Sequence, residues 1–310
     1  MSRPLGVPEV RWERMFPDEL EAAFERCPVL YLPYGLCEPH GPQSALGCDG
    51  LRAHAICRRA ATAHGGVVAP PHYWHIHESG GFGIWASRKV GEMARPWLTA
   101  VPPWLFFKTL CYHVRAADQL GFRAAVLYSG HGGPHAEDVA RFVELIQPRV
   151  GARLAFVVEG ADLKDPSSPF AYAEWADHAG KGETSQLWAV EPDAVDLSRL
   201  PAADEPGPHF AMDPSAAEAA RRSGEALLRH KTAWLGRVGA GLLAEYERLA
   251  PEVRLLTYAE VESLWSEVVA PEFPTFACMQ DGDGTVAPDS RWHANWRVPK
   301  ESRSDFRAGR

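Results

Sequence analysis

The chain has no cysteine framework, no long apolar run and no basic excess, and each lack removes a class of protein. Its six cysteines (27, 37, 48, 57, 111 and 278) include no CxxC pair and are spread thinly over 310 residues. That usage predicts reduced thiols in a cytoplasm rather than a disulfide scaffold. No stretch approaches the ~20 apolar residues that span a bilayer. The N-terminus, MSRPLGVPEVRWERMFPDEL, lacks the apolar core of a signal peptide. Lys and Arg number 32 against 40 Asp and Glu, a formal charge of −8, and the basic residues are scattered apart from a loose group near the C-terminus. A general phosphate-backbone binder needs the opposite balance. Neither a nucleic-acid nor a membrane partner is expected, and no internal repeat is visible.

What is present is an ordinary globular composition, 46% hydrophobic and 23% charged. The length allows one large domain or two small ones. The chain is organised around residues 28–51, PVLYLPYGLCEPHGPQSALGCDGL. Val29-Leu30-Tyr31-Leu32 reads as a buried strand that ends at Pro33 and Gly35 and delivers Glu38-Pro39-His40 into a loop. Asp49 follows Glu38 by eleven residues, just before a helical pattern. Two carboxylates and an imidazole thus leave the end of a strand, where open α/β sheets bind ligands and metals. Mixed oxygen and nitrogen donors suit Zn²⁺, Mn²⁺ or Fe²⁺ better than Ca²⁺. The bland alternative makes Asp49 a helix N-cap and Glu38 and His40 exposed loop residues. Cys37 and Cys48 sit beside Glu38 and Asp49, as soft ligands or, more commonly for cysteine, as small buried hydrophobes.

Elsewhere the pattern alternates helix and strand. Phe16, Leu20, Ala23 and Phe24 share one helical face before the first strand. A helix over 50–64 stops at Gly65-Gly66, and Val67-Val68-Ala69 is a short strand ended by Pro70-Pro71. Strand–helix–strand order implies a parallel pair with a right-handed crossover. Residues 72–101 are irregular, and His72, His75, His77 and Glu78 are read as pocket lining before metal ligands. Trp104 to Leu120 is a helix closed by Gly121, and Ala124 to Tyr128 is a buried strand running into Ser129-Gly130-His131-Gly132-Gly133. Pro134 suits the first residue of a helix to about Ile146, and Leu154 to Val158 is another strand. His131 therefore faces the same crevice as Glu38 and His40, unless the glycine turn is only an anion-binding backbone nest.

Asp177-His178-Ala179-Gly180 and Glu183-Thr184-Ser185 open a helix that ends before Pro192. Residues 193–212 read as a surface loop, and Asp213 caps a long helix over 215–249. Its basic stripe, Arg221, Arg222, Arg229 and Lys231, reads as a solvated face. Thr257-Tyr258-Ala259-Glu260 resembles a capping box. The expected division is a hydrolase-like domain over 1–270 with a C-terminal extension, 271–310, packed on it or trailing from it.

Four pieces taken together resemble the creatininase (creatinine amidohydrolase) family: LPYGLCEPHGPQSALGCD at 32–49, SGHGGPH at 129–135, DHAGKGETS at 177–185 and MDPSAAEAARRSGEALL at 212–228. They stand in the family's order and cover the chain from about 25 to 250. The resemblance implies an α/β, three-layer fold with a mainly parallel sheet flanked by helices. It also implies a homo-oligomer (a hexamer), a small amide substrate and two divalent ions, Zn²⁺ foremost, with Mn²⁺ or Fe²⁺ as alternatives. By resemblance Glu38 and His131 would hold one ion, His40 the other, and Asp49 would bridge them. The carboxylate that completes the second ion in creatininase falls at Gly133, which has no side chain to offer, so Glu183 is the replacement expected here.

Two departures bear on the substrate. The family often has His at Gln43 and Asn at Pro134, and the segment after Val67 lacks the usual Phe-Pro-Gly-Thr. The expected reaction is hydrolysis of a C–N bond in an amide, cyclic amide or formamide. His178 is the expected proton shuttle, Glu183 belongs to the catalytic set, and Trp74, Trp85 and Trp175 are candidates for an aromatic wall. The alternatives are a peptidase-like member that trims a modified peptide and a non-catalytic metal-binding homologue.

Overall fold

The computed structural model describes residues 8–77, 89–91, 95, 97–132 and 136–277. Glu78, Trp85, Gly133, Pro134 and Cys278 lie outside them. Four strands form one parallel sheet in the order β2-β1-β3-β4, with β1 Val29–Tyr34, β2 Val67–Val68, β3 Ala124–Ser129 and β4 Arg153–Val158. Every residue of β1 and β3 is buried, as a sheet covered on both faces requires.

Strand β1 continues one residue past Pro33 rather than ending there. The carbonyls of Tyr31 and Pro33 accept from Ala69 and His72 on the β2 side. The amide that Pro33 lacks thus falls where β2 has already ended at Pro70-Pro71, and no ladder bond is lost.

Helices cover both faces. Helices α1 (Pro17–Arg26), α3 (Pro103–Gln119) and α4 (Ala136–Ile146) contribute Ala23, Phe106, Phe107, Leu110, Val139 and Phe142 to one core. Phe273 and Phe276, at the start of the expected C-terminal extension, join it by packing on Phe107. On the other face α2 (Cys48–His64), α5 (Lys181–Val190) and α6 (Arg221–Leu249) supply Ala53, Ile56, Cys57, Ala189, Leu228 and Leu235 to a second core. A parallel sheet between two helical layers is the expected three-layer α/β fold. No helix among the described residues is long and apolar enough to cross a membrane.

Some local expectations change. Phe16 is the N-cap position of α1 and 66% exposed, so only Leu20, Ala23 and Phe24 of its expected face turn inward. Asp213 caps a separate 3-10 turn, Pro214–Glu218, and α6 begins at Arg221. Arg221, Arg222 and Arg229 are exposed, but Lys231 of the same stripe is buried (1%). Its Nζ donates to Asp162 Oδ1 at 2.8 Å and lies 2.9 Å from Glu159 Oε1, so pairing overrides the solvated-face expectation. The capping box at Thr257 and Glu260 is formed as expected.

Candidate metal centre

The chain turns from β1 to β2 on one side and to β3 on the other, so the β1/β3 junction is the point where strand order reverses. Crevices at such points are where open α/β sheets hold ligands. Glu38 and His40 leave β1 there and His131 leaves β3. Asp49 enters from α2, which crowds in because β1 and β3 end in glycines. A Cβ on Gly35 would collide with the Gly50 backbone, and one on Gly130 with the Asp49 carbonyl. Asp49 is therefore a buried residue of the helix's first turn rather than its N-cap, which is Gly47.

The four side chains converge. His131 Nδ1 stands 2.9 Å from Glu38 Oε1 and 3.3 Å from Asp49 Oδ2. His40 Nε2 stands 3.1 Å from Asp49 Oδ1 and 3.3 Å from Glu183 Oε2. The His40 Nδ1–H donates to the Glu38 carbonyl at 3.1 Å, which fixes the tautomer and turns Nε2 towards the carboxylates. Behind them, His77 Nε2 lies 3.2 Å from Glu38 Oε2, and buried His75 contacts Ser129 Oγ at 3.2 Å. His77 thus touches an expected ligand, while His72 lines a separate apolar cavity with Tyr34 and His113.

Burial opposes charge throughout the cluster, and the neighbours outweigh it. Burial raises the Glu38 carboxyl, yet His131 brings it below the ordinary value. Asp49 is held well below the ordinary value by His40 and His131 against the same penalty. Burial lowers His40, but Cys48, Asp49 and Glu183 hold it well above a free imidazole. His131 is likewise raised by Glu38 and Asp49.

The residues fit a divalent ion. Glu38, Asp49 and His131 each offer one donor atom, and the three atoms lie within 4.8 Å of one another. Asp49 Oδ2, His131 Nε2 and His40 Nε2 are buried without a hydrogen-bond partner of good geometry. Two further such groups share His40, one with Cys48 and Asp49 and one with Glu38 and His178, so Cys48 and His178 are also near enough to donate, whereas Cys37 is only half-buried.

Glu183 reaches the cluster, with both oxygens already engaged. Oε1 accepts from Arg52 Nη2 at 2.6 Å and Oε2 from the Ala179 N–H at 2.7 Å. Burial raises its carboxyl, and Arg52 and then His40 bring it down to about 2. His178 lies on the cavity wall with its ring centroid 4.6 Å from that of His40. Its Nε2–H donates to the Pro39 carbonyl at 3.0 Å, which sets its tautomer. The turn that carries it is over-determined. Ala179 has a φ of 55°, a left-handed conformation that costs a non-glycine residue ~1–2 kcal/mol. Three contacts enforce it: Glu183 on the Ala179 amide, Gln43 Nε2 on its carbonyl at 3.2 Å, and Asp177 capping Gly182 and Glu183. Gln43 therefore positions the turn.

Trp175 packs edge-on against Phe170 beneath Lys181, and Trp74 is 55% exposed. Neither lines the cavity of about 530 Å³ that opens on the cluster, where Tyr172 supplies an aromatic ring among the described residues.

Sequence reasoning missed Arg52 and Glu159. Arg52 is fully buried and also contacts the Gly130 carbonyl at 3.0 Å, Asp49 Oδ1 at 3.1 Å and Glu159 Oε1 at 3.3 Å. Glu159 follows the last residue of β4, so the strand-end rule that picked out Glu38 and His131 would have found it. Arg52 stands one helical turn after Asp49 and hence on its face.

A crevice of clustered carboxylates and imidazoles at the switch point of a parallel three-layer sheet makes this an α/β protein with a candidate metal centre. Comparison with known proteins narrows this. A family profile, Creatininase, described as creatinine amidohydrolase, matches residues 13–240. The chain belongs to the creatininase family, and is a hydrolase of that family. It is 27% identical over 273 residues to the creatinine amidohydrolase of Pseudomonas putida, covering 74% of this chain and 93% of that protein. It is 24% identical over 249 residues to the 3-dehydro-scyllo-inosose hydrolase of Thermotoga maritima, covering 78% of this chain and 72% of that one. A solved manganese form of creatininase superposes with a TM-score of 0.56 at 24% identity, covering 77% of this chain and 99% of its own.

Proposed function

We propose that this protein is a divalent-metal-dependent amidohydrolase that cleaves a C–N bond in a small, polar, non-peptide substrate. The observation that carries this is the Glu38–Asp49–His131 cradle opening on a cavity of about 530 Å³ with His178 on its wall. That volume suits a small molecule, and a relative named for creatinine amidohydrolysis supports the bond type. Glu38, Asp49 and His131 would hold the ion, with His40 beside them. When bound, the ion supplies an activated water near neutral pH and polarises a carbonyl.

The chain's own residues do the rest. His77 orients Glu38, and the Glu38 carbonyl orients His40. His178, its Nε2–H held by the Pro39 carbonyl, takes a proton on Nδ1 from the attacking water and passes it to the leaving nitrogen. Tyr172, Lys89 and Asp177 line the outer cavity and bound the substrate's size and polarity. The expectation of a second ion would place it on His40, Asp49 and Glu183. The reading includes a cytoplasmic homo-oligomer, consistent with free cysteines among the described residues.

The test is metal content together with turnover. The Zn²⁺- or Mn²⁺-loaded protein should hydrolyse at least one member of a panel of cyclic ureides, formamides and linear amides, and spare short peptides. His131→Ala should lose the ion and all hydrolysis. Full metal content in that variant would remove His131 from the ligand set. The relative named for 3-dehydro-scyllo-inosose puts that compound on the panel as well, and turnover of it alone would replace the C–N assignment.

A further inference from the structure

We infer that the Arg52 guanidinium stands in for a second metal ion, so that this chain holds one divalent ion per site where its family resemblance implies two. The inference rests on the metal-dependent reading above. Arg52 is wholly buried, and its Nη2 bridges Asp49 Oδ1 at 3.1 Å and Glu183 Oε1 at 2.6 Å. These are two of the groups that a second ion would share with His40, whose Nε2 is itself 3.1 Å from Asp49 Oδ1. Glu183 Oε2 has its own donor in the Ala179 N–H at 2.7 Å, so neither oxygen of that carboxylate is uncommitted.

The two oxygens of Asp49 therefore face different partners. Oδ1 has the guanidinium, while Oδ2 turns to His131 at 3.3 Å and has no hydrogen-bond partner of good geometry. A guanidinium keeps its proton at any relevant pH, so it cannot step aside as a lysine or histidine does on metal binding. A second cation on the same oxygens meets like charge in a desolvated site, where repulsion is least screened. Gly133, at the position where the family's further carboxylate falls, adds no side-chain donor. Arg52 thus does for the bridging carboxylate what a second ion would do: it neutralises it and fixes its orientation, without offering an open coordination position.

The experiment is a metal count on the full-length protein. After removal of metal, titration with Mn²⁺ should saturate at one ion per chain, and elemental analysis of Zn²⁺-loaded protein should agree. The Mn²⁺ form should give the spectrum of an isolated ion by electron paramagnetic resonance, without the exchange coupling of a pair. Arg52→Met, which frees Asp49 Oδ1 and Glu183 Oε1, should raise the count to two. Arg52→Gln, smaller and hydrogen-bonding, serves the same purpose should the Met variant not fold, and Arg52→Lys, which keeps the charge, should stay at one. Two ions per wild-type chain, or one ion in the folded neutral variants, overturns the role of Arg52. No ion in the wild type overturns the metal-dependent reading itself, so the two failures are distinguishable.

Discussion

Glu183→Gln separates a structural carboxylate from a ligating one, because the amide keeps the shape and removes the charge. In the structure the charge faces Arg52 at 2.6 Å and the Ala179 amide at 2.7 Å, both within the protein. Its carboxyl is held at about 2 against an ordinary 4.5. A group held below its unfolded value stabilises the fold above that value, and the stability is lost as pH falls through the folded value. A gap of about 2.5 units at ~1.4 kcal/mol each gives about 3 kcal/mol at pH 7. The same arithmetic leaves roughly half or less of that by pH 3. Urea unfolding of the metal-free protein in a chelator, wild type against Glu183→Gln, reads the difference directly. The expected result is a loss of about 3 kcal/mol at neutral pH that narrows below pH 4.5, with metal content unchanged. A loss below ~1 kcal/mol, or a gap that is flat from pH 7 to 3, would refute the pairing as the main role of Glu183.

Two further variants probe the surroundings. Lys231→Met should destabilise the fold by ~3–5 kcal/mol in chemical denaturation, because it takes the buried ammonium from Asp162 and leaves Glu159 with Arg52 alone. A near-neutral outcome would show that water reaches those carboxylates. His178→Asn keeps a donor for the Pro39 carbonyl and should leave the metal count intact while kcat falls roughly 10²–10⁴-fold; unchanged turnover would move the proton-transfer role elsewhere.

The convergence at the candidate site's centre was legible because its residues obey a rule that can be applied to a linear sequence. Glu38, His40 and His131 each follow a run of apolar β-formers that stops at a glycine, and strand ends at a switch point face one crevice. The parallel pairing of β1 and β2 was legible as well, since a helix separates them. The supporting charges were not legible. Lys231 lies in a run of basic residues on a helix, and periodicity assigns such a run to solvent, as it does correctly for Arg221, Arg222 and Arg229. Only the packing of α6 over the end of β4 turns Lys231 inward to Glu159. Arg52 escaped notice because a single arginine in a helix carries no pattern, and its meaning depends on Glu183, 131 residues away. Trp175 shows the converse error: a tryptophan two residues before the His178 turn invites a substrate role, yet its ring is spent on Phe170 and Lys181.

The charges around the candidate site form a connected chain, and its balance explains why the fold tolerates them. Lys231 joins Asp162 and Glu159, Glu159 meets Arg52, and Arg52 meets Asp49 and Glu183, which in turn face His40. Glu38 adds a fifth carboxylate through His131. Five carboxylates against two permanent cations leave three negative charges in a desolvated space, far more than an interior sustains unpaired. The metal-free protein answers by holding His40 and His131 well above the ordinary imidazole value, so that protons occupy the place of positive charge. A divalent ion on the proposed ligands would take the place of the His131 proton, and the single negative charge then left over matches one imidazolium at His40. On this account Arg52 and Lys231 are what allow the carboxylates to be gathered before any ion arrives. The acidity of the cluster, which would otherwise oppose folding, becomes the affinity of the site.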